Sequence, residues 1–224
     1  MIPLRDSTRS RTFPIVNYTL IAINFLVFFR QLTFTDQELN LFFYTYGLIP
    51  AQVTQHFAAG APLQSTLLPF ITAMFIHGNW LHLLGNMLYL WIFGDNIEDR
   101  MGHLRYLFFY LFVGITGSIA HILSTPGSEI PIIGASGAIA GVLGAYFLSF
   151  PRAKILTLVP IFFLITFVRI PAVIFLPIWF GIQLLNGLST AGMPAEAVAW
   201  WAHIGGFISG AILLPFFKRK GNYI

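Results

Sequence analysis

The chain has 224 residues, 57% of them hydrophobic and only 9% charged. A soluble domain carries about 25% charged residues, so an ordinary soluble fold is excluded and a membrane protein is the starting class. The absence of cysteine excludes disulfides, thiol catalysis and thiolate metal sites, and the net charge of +4 is no sign of nucleic acid, because the basic residues follow membrane topology.

Met1 to Pro14 form a polar leader with Arg5, Arg9 and Arg11. The apolar run behind it is longer than a signal-peptide core and lacks a small-residue cleavage site, so it reads as a retained first span. Six apolar segments follow one another, at about residues 13–29, 70–93, 104–123, 135–150, 171–188 and 197–217. Ile155–Val168 is apolar too, but Arg152, Lys154 and Arg169 bracket it, and it reads as an interfacial or re-entrant linker. The expected fold is all-α, a single polytopic membrane domain built as a six-transmembrane-helix bundle.

Lysine and arginine set the orientation of such a bundle. On six spans, Arg5, Arg9, Arg11, Arg100, Arg105, Arg152, Lys154, Arg169, Lys218, Arg219 and Lys220 share one side. Only Arg30 falls on the other, so both termini are expected in the cytoplasm. The long outer connection, residues 31–69, contains no Lys or Arg and carries the aromatic-rich run Leu41–Pro50. It is expected to lie in the outer interface.

Polar side chains within the spans are few, and each is a candidate for function. A helix starting near Ala135 places Ser136 in its first turn. From Ser136 to Phe150 is 15 residues, about 22 Å of helix against a hydrocarbon core of about 30 Å. Ser136 therefore sits below the outer surface, where free N–H groups must face a protein-lined, water-accessible cavity. In the second segment Gly78-Asn79 is a plausible turn and cap, and His82 and Asn86 share one helix face. In the sixth, His203 lies about two turns below the outer end. Gly137-x-x-x-Gly141, Ala140-x-x-x-Gly144 and Ala202-x-x-x-Gly206-x-x-x-Gly210 offer small faces on which the fourth and sixth spans can approach closely.

Taken singly, Ser136 fits a packing role, and His82 and Asn86 fit interhelical hydrogen bonding. Their conjunction at one depth with His203 favours chemistry. His203 would take the proton of Ser136 as its oxygen attacks a peptide carbonyl, and helix N-terminal N–H groups with His82 and Asn86 would hold the oxyanion. No Asp or Glu lies within a span to orient His203, so the arrangement is a dyad whose tautomer is set from elsewhere. His77 reads as shaping the loop into the second span; His56, His103 and His121 have no assigned role. A transporter would line a through-path with polar groups, and the inner halves of these spans are nearly free of them.

These residues together resemble the rhomboid family of intramembrane serine proteases. The resemblance rests on His77-x4-His82-x3-Asn86, Gly134-Ala135-Ser136-Gly137, and Ala202-His203-x-Gly205-Gly206 followed by Gly210. Glu98-Asp-Arg-Met-Gly102 also looks like the family's turn after the second span. The resemblance implies Ser136 as nucleophile, His203 as general base and later acid, and His82 and Asn86 as oxyanion donors. It implies single-span membrane proteins as substrates, a lipid bilayer as surroundings, and no cofactor. A multi-pass protein of a bacterial inner membrane is the implied setting. Many family members carry an aromatic residue stacked on the catalytic histidine four positions after the serine; here that position is Ala140, leaving Trp200 or Trp201 to supply the ring. The fifth span, with Pro171, Pro177 and Trp179, and the loop Ser189–Glu196 would form a lateral gate and cap.

Overall fold

The computed structural model describes residues 1–60, 62–161, 164–190 and 198–219. Along these the chain runs β1 (Ile2–Arg5), α1 (Ile15–Gln31), α2 (Asp36–Tyr46), α3 (Pro50–Ala59) and α4 (Leu63–Thr72). A 3-10 turn (Ala73–Phe75) leads to α5 (Trp80–Met101), α6 (His103–Ser124) and α7 (Ser136–Ser149). Strands β2 (Lys154–Ile161) and β3 (Leu164–Pro171) come next, followed by α8 (Ala172–Thr190) and α9 (Trp200–Phe217).

Helices α6, α8 and α9 are each long and apolar enough to cross a membrane. The α4 region and α5 meet that test only as a pair bent by 85°, and α1 and α7 are apolar but shorter. The expected second span at residues 70–93 is therefore corrected, because Phe70–Phe75 belong to α4 and its 3-10 turn. The break has a local cause. Asn79 caps α5 by accepting from the His82 backbone N–H at 2.9 Å. Just before it, the Gln31 amide holds both backbone groups of His77, donating to its carbonyl at 2.7 Å and accepting from its N–H at 3.2 Å. Those groups are spent on α1 and cannot continue a helix.

The apolar linker is an antiparallel β-hairpin, with Leu156 opposite Arg169 and Thr157 opposite Val168. The N-terminal strand β1 completes a three-stranded sheet in the order β1-β2-β3. This corrects the all-α expectation to a mostly helical fold with a small sheet, and replaces the interfacial or re-entrant linker. The run is rich in β-branched residues, and alternation buries Ile155 and Thr157 completely while Lys154 stays exposed.

Helix α7 sits at the centre of the bundle, with every residue from Gly137 to Tyr146 buried. It packs against α9 through the expected small faces. A Cβ on Gly206 would come 2.1 Å from the Gly137 carbonyl oxygen, and one on Gly210 would come 1.9 Å from that of Gly141. Only glycine permits this approach of backbones.

The long connection after α1 carries the helices α2, α3 and α4. A capping box of Thr35 and Glu38 starts α2. Leu48, Val53, Phe70, Ala73 and Ile122 form a small second core under α3 and α4. Leu48 also exchanges backbone hydrogen bonds with Ile132 at 3.0 and 2.8 Å, bracing the segment that enters α7. At the opposite end of the bundle the N-terminal segment ties to α5, with Thr12 Oγ1 donating to Asp99 at 2.7 Å. The Arg219 N–H donates to the Arg100 carbonyl at 3.1 Å, so both ends of the described chain meet the C-terminal end of α5.

Candidate active site

Ser136 is the first residue of α7, and its side chain does not cap the helix. The first bond of that helix runs from the Ile139 N–H to the Ala135 carbonyl, so the N–H groups of Ser136, Gly137 and Ala138 precede the ladder. The Ser136 hydroxyl turns instead to His203 on α9, with Oγ and Nε2 2.8 Å apart. His203 is buried, and its Nδ1 lies 2.8 Å from Oε1 of Gln183 on α8.

The third member fixes the proton positions. Gln183 donates its amide N–H to the Trp179 carbonyl at 3.1 Å, one turn back on its own helix. Its Oε1 is then the atom facing His203, and a carbonyl oxygen only accepts. His203 must therefore carry its proton on Nδ1, which leaves Nε2 as the acceptor for the serine O–H. This is the tautomer a general base needs. Sequence reading passed over Gln183; the only signal was an amide side chain within an apolar span.

Two tryptophans flank the imidazole. Trp179 lies at a ring-centroid distance of 6.1 Å, tilted by 35°, and Trp200 meets it edge-on at 6.0 Å. Of the two aromatics anticipated, Trp200 takes this place and Trp201 does not, while Trp179 was not anticipated. Ala140 is fully buried, and its Cβ lies 3.4 Å from the Cβ position built on Gly206, so that site belongs to the α7–α9 packing.

His82 and Asn86 face the segment that enters α7. Gly134, at φ +114°, brings its backbone so near that a Cβ there would lie 2.5 Å from His82 Nε2 and 3.4 Å from Asn86 Nδ2. A side chain is excluded there by both conformation and space. Asn86 donates from Nδ2 to Nε2 of buried His77 at 2.9 Å, and the second hydrogen of that amide is not used by this bond. His77 is thus a partner of Asn86 as well as a loop residue. A cavity of about 230 Å³ opens beside His82 and is also lined by His121, Ile132 and Ala199. His121, given no role from sequence, is buried there. The anticipated cap at Ser189–Glu196 falls mostly on residues 191–197, outside the described residues.

Comparison with known proteins follows the same pattern. Rhomboid-like protein 11, chloroplastic, of Arabidopsis thaliana is 38% identical over 73 residues, 33% of this chain and 26% of that protein. Rhomboid protease GluP of Bacillus subtilis is 45% identical over 75 residues, 34% of this chain and 14% of that protein. A longer alignment, 24% identical over 187 residues, joins 76% of this chain to 44% of the presenilin-associated rhomboid-like protein, mitochondrial, of Bos taurus. The matched stretches thus span less than half the length of these relatives. The Rhomboid domain family model matches residues 64–220, well over half of the chain, and the protein belongs to the rhomboid family.

Proposed function

We propose that this protein is an intramembrane serine endopeptidase that hydrolyses peptide bonds in single-span membrane proteins with a Ser136–His203 dyad. The observation that carries the reading is the hydrogen-bonded chain Ser136–His203–Gln183, which presents a basic Nε2 to the serine. As Oγ attacks the substrate carbonyl, Nε2 takes its proton. The same proton passes to the leaving amine, and an acyl-enzyme remains. Water then attacks the ester, again with His203 as base, and Ser136 is released. The oxyanion of each step accepts from the N–H groups opening α7, with His82 and Asn86. Gln183 and His77 are positioning residues; they hold His203 and Asn86 and do not touch substrate. No step calls for a cofactor.

A six-span arrangement with α1 and α7 embedded and both termini cytoplasmic accords with the basic residues gathered at one end. A bacterial inner membrane fits that asymmetry. Substrate would enter sideways past α8, which carries Pro177 within the helix.

The test is cleavage of a single-span substrate by the purified protein in liposomes, comparing wild type with Ser136→Ala and His203→Ala. Each variant should lose activity by at least about a thousandfold, since the pair works as a unit. Undiminished cleavage by Ser136→Ala would overturn the nucleophile. Absence of cleavage by wild type across several substrates would favour a catalytically inactive membrane scaffold of the same family.

A further inference from the structure

We propose that the inner end of the bundle holds a binding site for a phosphate group, supplied by the headgroup of an anionic membrane lipid. The inference is independent of the dyad and stands on the small sheet. Side chains alternate across a strand, and residues directly opposite on neighbouring strands share a face. Leu156 is opposite Arg169 on one side and Arg5 on the other, and Lys154 lies two residues before it. Arg5, Lys154 and Arg169 therefore emerge on one face, while Ile155 and Thr157 fill the buried face behind.

A backbone irregularity produces this arrangement. Pro3 pairs with Thr157, so regular antiparallel pairing would set Arg5 opposite Ile155, on the buried side. A bulge between Pro3 and Arg5 moves Arg5 to the Leu156 row, beside Arg169. The three cations are joined by Arg9 around a cavity of about 640 Å³, wide enough for a phosphate-bearing headgroup. None of the four has an ion pair among the described residues. Asp6 and Asp95 also line the cavity, but their carboxylates are engaged within the protein. Asp6 accepts from Tyr146 and from Asn96, and Asp95 accepts from the backbone and side chain of Asn96. Four cations against two occupied carboxylates leave a cradle of net positive charge.

The wall beside the cradle favours a lipid as the source. Trp91 lines the cavity, is 56% exposed, and stacks on Tyr18 at 5.0 Å, the placement of an interfacial aromatic anchor. Basic pockets on the inner side of membrane helices are suited to anionic headgroups, with acyl chains left against the apolar wall.

The full chain in phosphatidylcholine nanodiscs, doped with brominated phosphatidylglycerol or brominated phosphatidylcholine, provides the test. Bromine quenches nearby tryptophan, and subtracting the signal of Trp91→Phe isolates Trp91. Quenching should set in at an at least fivefold lower fraction of the anionic lipid, the order expected for one basic contact near the membrane surface. Arg5→Gln with Arg169→Gln should abolish that preference. Arg105→Gln with Arg152→Gln removes equal charge outside the cavity and should preserve it. If the Arg5/Arg169 variant does not fold, Lys154→Gln is read in the same way. A Trp91 response to inorganic phosphate in pure phosphatidylcholine, lost with Arg5→Gln and Arg169→Gln, would support the phosphate site but assign it to a soluble ligand. Equal quenching by both lipids with no response to phosphate overturns the proposal. So does equal loss of preference in the Arg105/Arg152 control, which would mean diffuse surface charge.

Discussion

A neutral imidazole offers one donor and one acceptor, and the partner of one nitrogen decides what the other can do. For His203 that partner is Gln183, itself oriented by the Trp179 carbonyl. A carboxylate could serve the same end at the expense of a buried charge; the amide does so without one. Gln183→Leu should lower kcat about five- to tenfold while leaving KM nearly unchanged, since the lost hydrogen bond is worth about 1–1.5 kcal/mol. A measured loss confined to KM would mean that Gln183 contacts substrate instead. Ser136 and His203 could be picked out of the sequence because polar groups are conspicuous in apolar runs. Gln183 could not be joined to them, because its bond crosses from α8 to α9 and sequence does not fix how those helices are rotated.

Helix α1 begins after Pro14 with no cap of its own. The cap comes from another element. Glu98, fully buried near the end of α5, accepts from the backbone N–H groups of Val16 and Asn17 at 3.0 and 2.7 Å. Its negative charge also faces the positive end of the α1 dipole. Glu98→Gln should destabilise the protein by about 2 kcal/mol, the scale of hydrogen bonds to a charged acceptor, read as a lowered unfolding midpoint in detergent. An unchanged midpoint would refute the cap. Gly102 at φ +83° then leads the chain into α6; of the anticipated Glu98–Gly102 turn, the residues before Gly102 belong to the last turn of α5. The bend between α4 and α5 was legible only as a possible cap at Asn79. Its cause, the Gln31 amide reaching His77 across the fold, has no local signature.

In the whole molecule α8 stands out, because it would be both the entrance for substrate and the support of the base. Gln183 and Trp179 lie on it, and both touch His203. Displacing α8 to admit a substrate would therefore loosen the imidazole, and its return would restore the tautomer and the tilted ring contact. Tyr89 on α5 and Trp179 on α8 meet at a ring-centroid distance of 6.5 Å, and the chain has no native cysteine. Tyr89→Cys with Trp179→Cys, joined by a bifunctional thiol reagent, should lose cleavage of a membrane substrate relative to the same variant before crosslinking. Equal activity before and after crosslinking would exclude entry past α8.

The sequence by itself determined the membrane class and the small faces of α7 and α9, and it singled out Ser136, His203, His82 and Asn86 as candidates. Each is written in composition or in short-range spacing, which the helix repeat converts directly into depth and face. Tertiary structure decided the rest: the sheet made from the apolar linker, the broken second segment, the cap on α1 and the amide behind His203. These depend on partners from 20 to 156 residues away, and an apolar run bounded by charges is compatible with a hairpin, a linker or a span until a third strand arrives to pair with it.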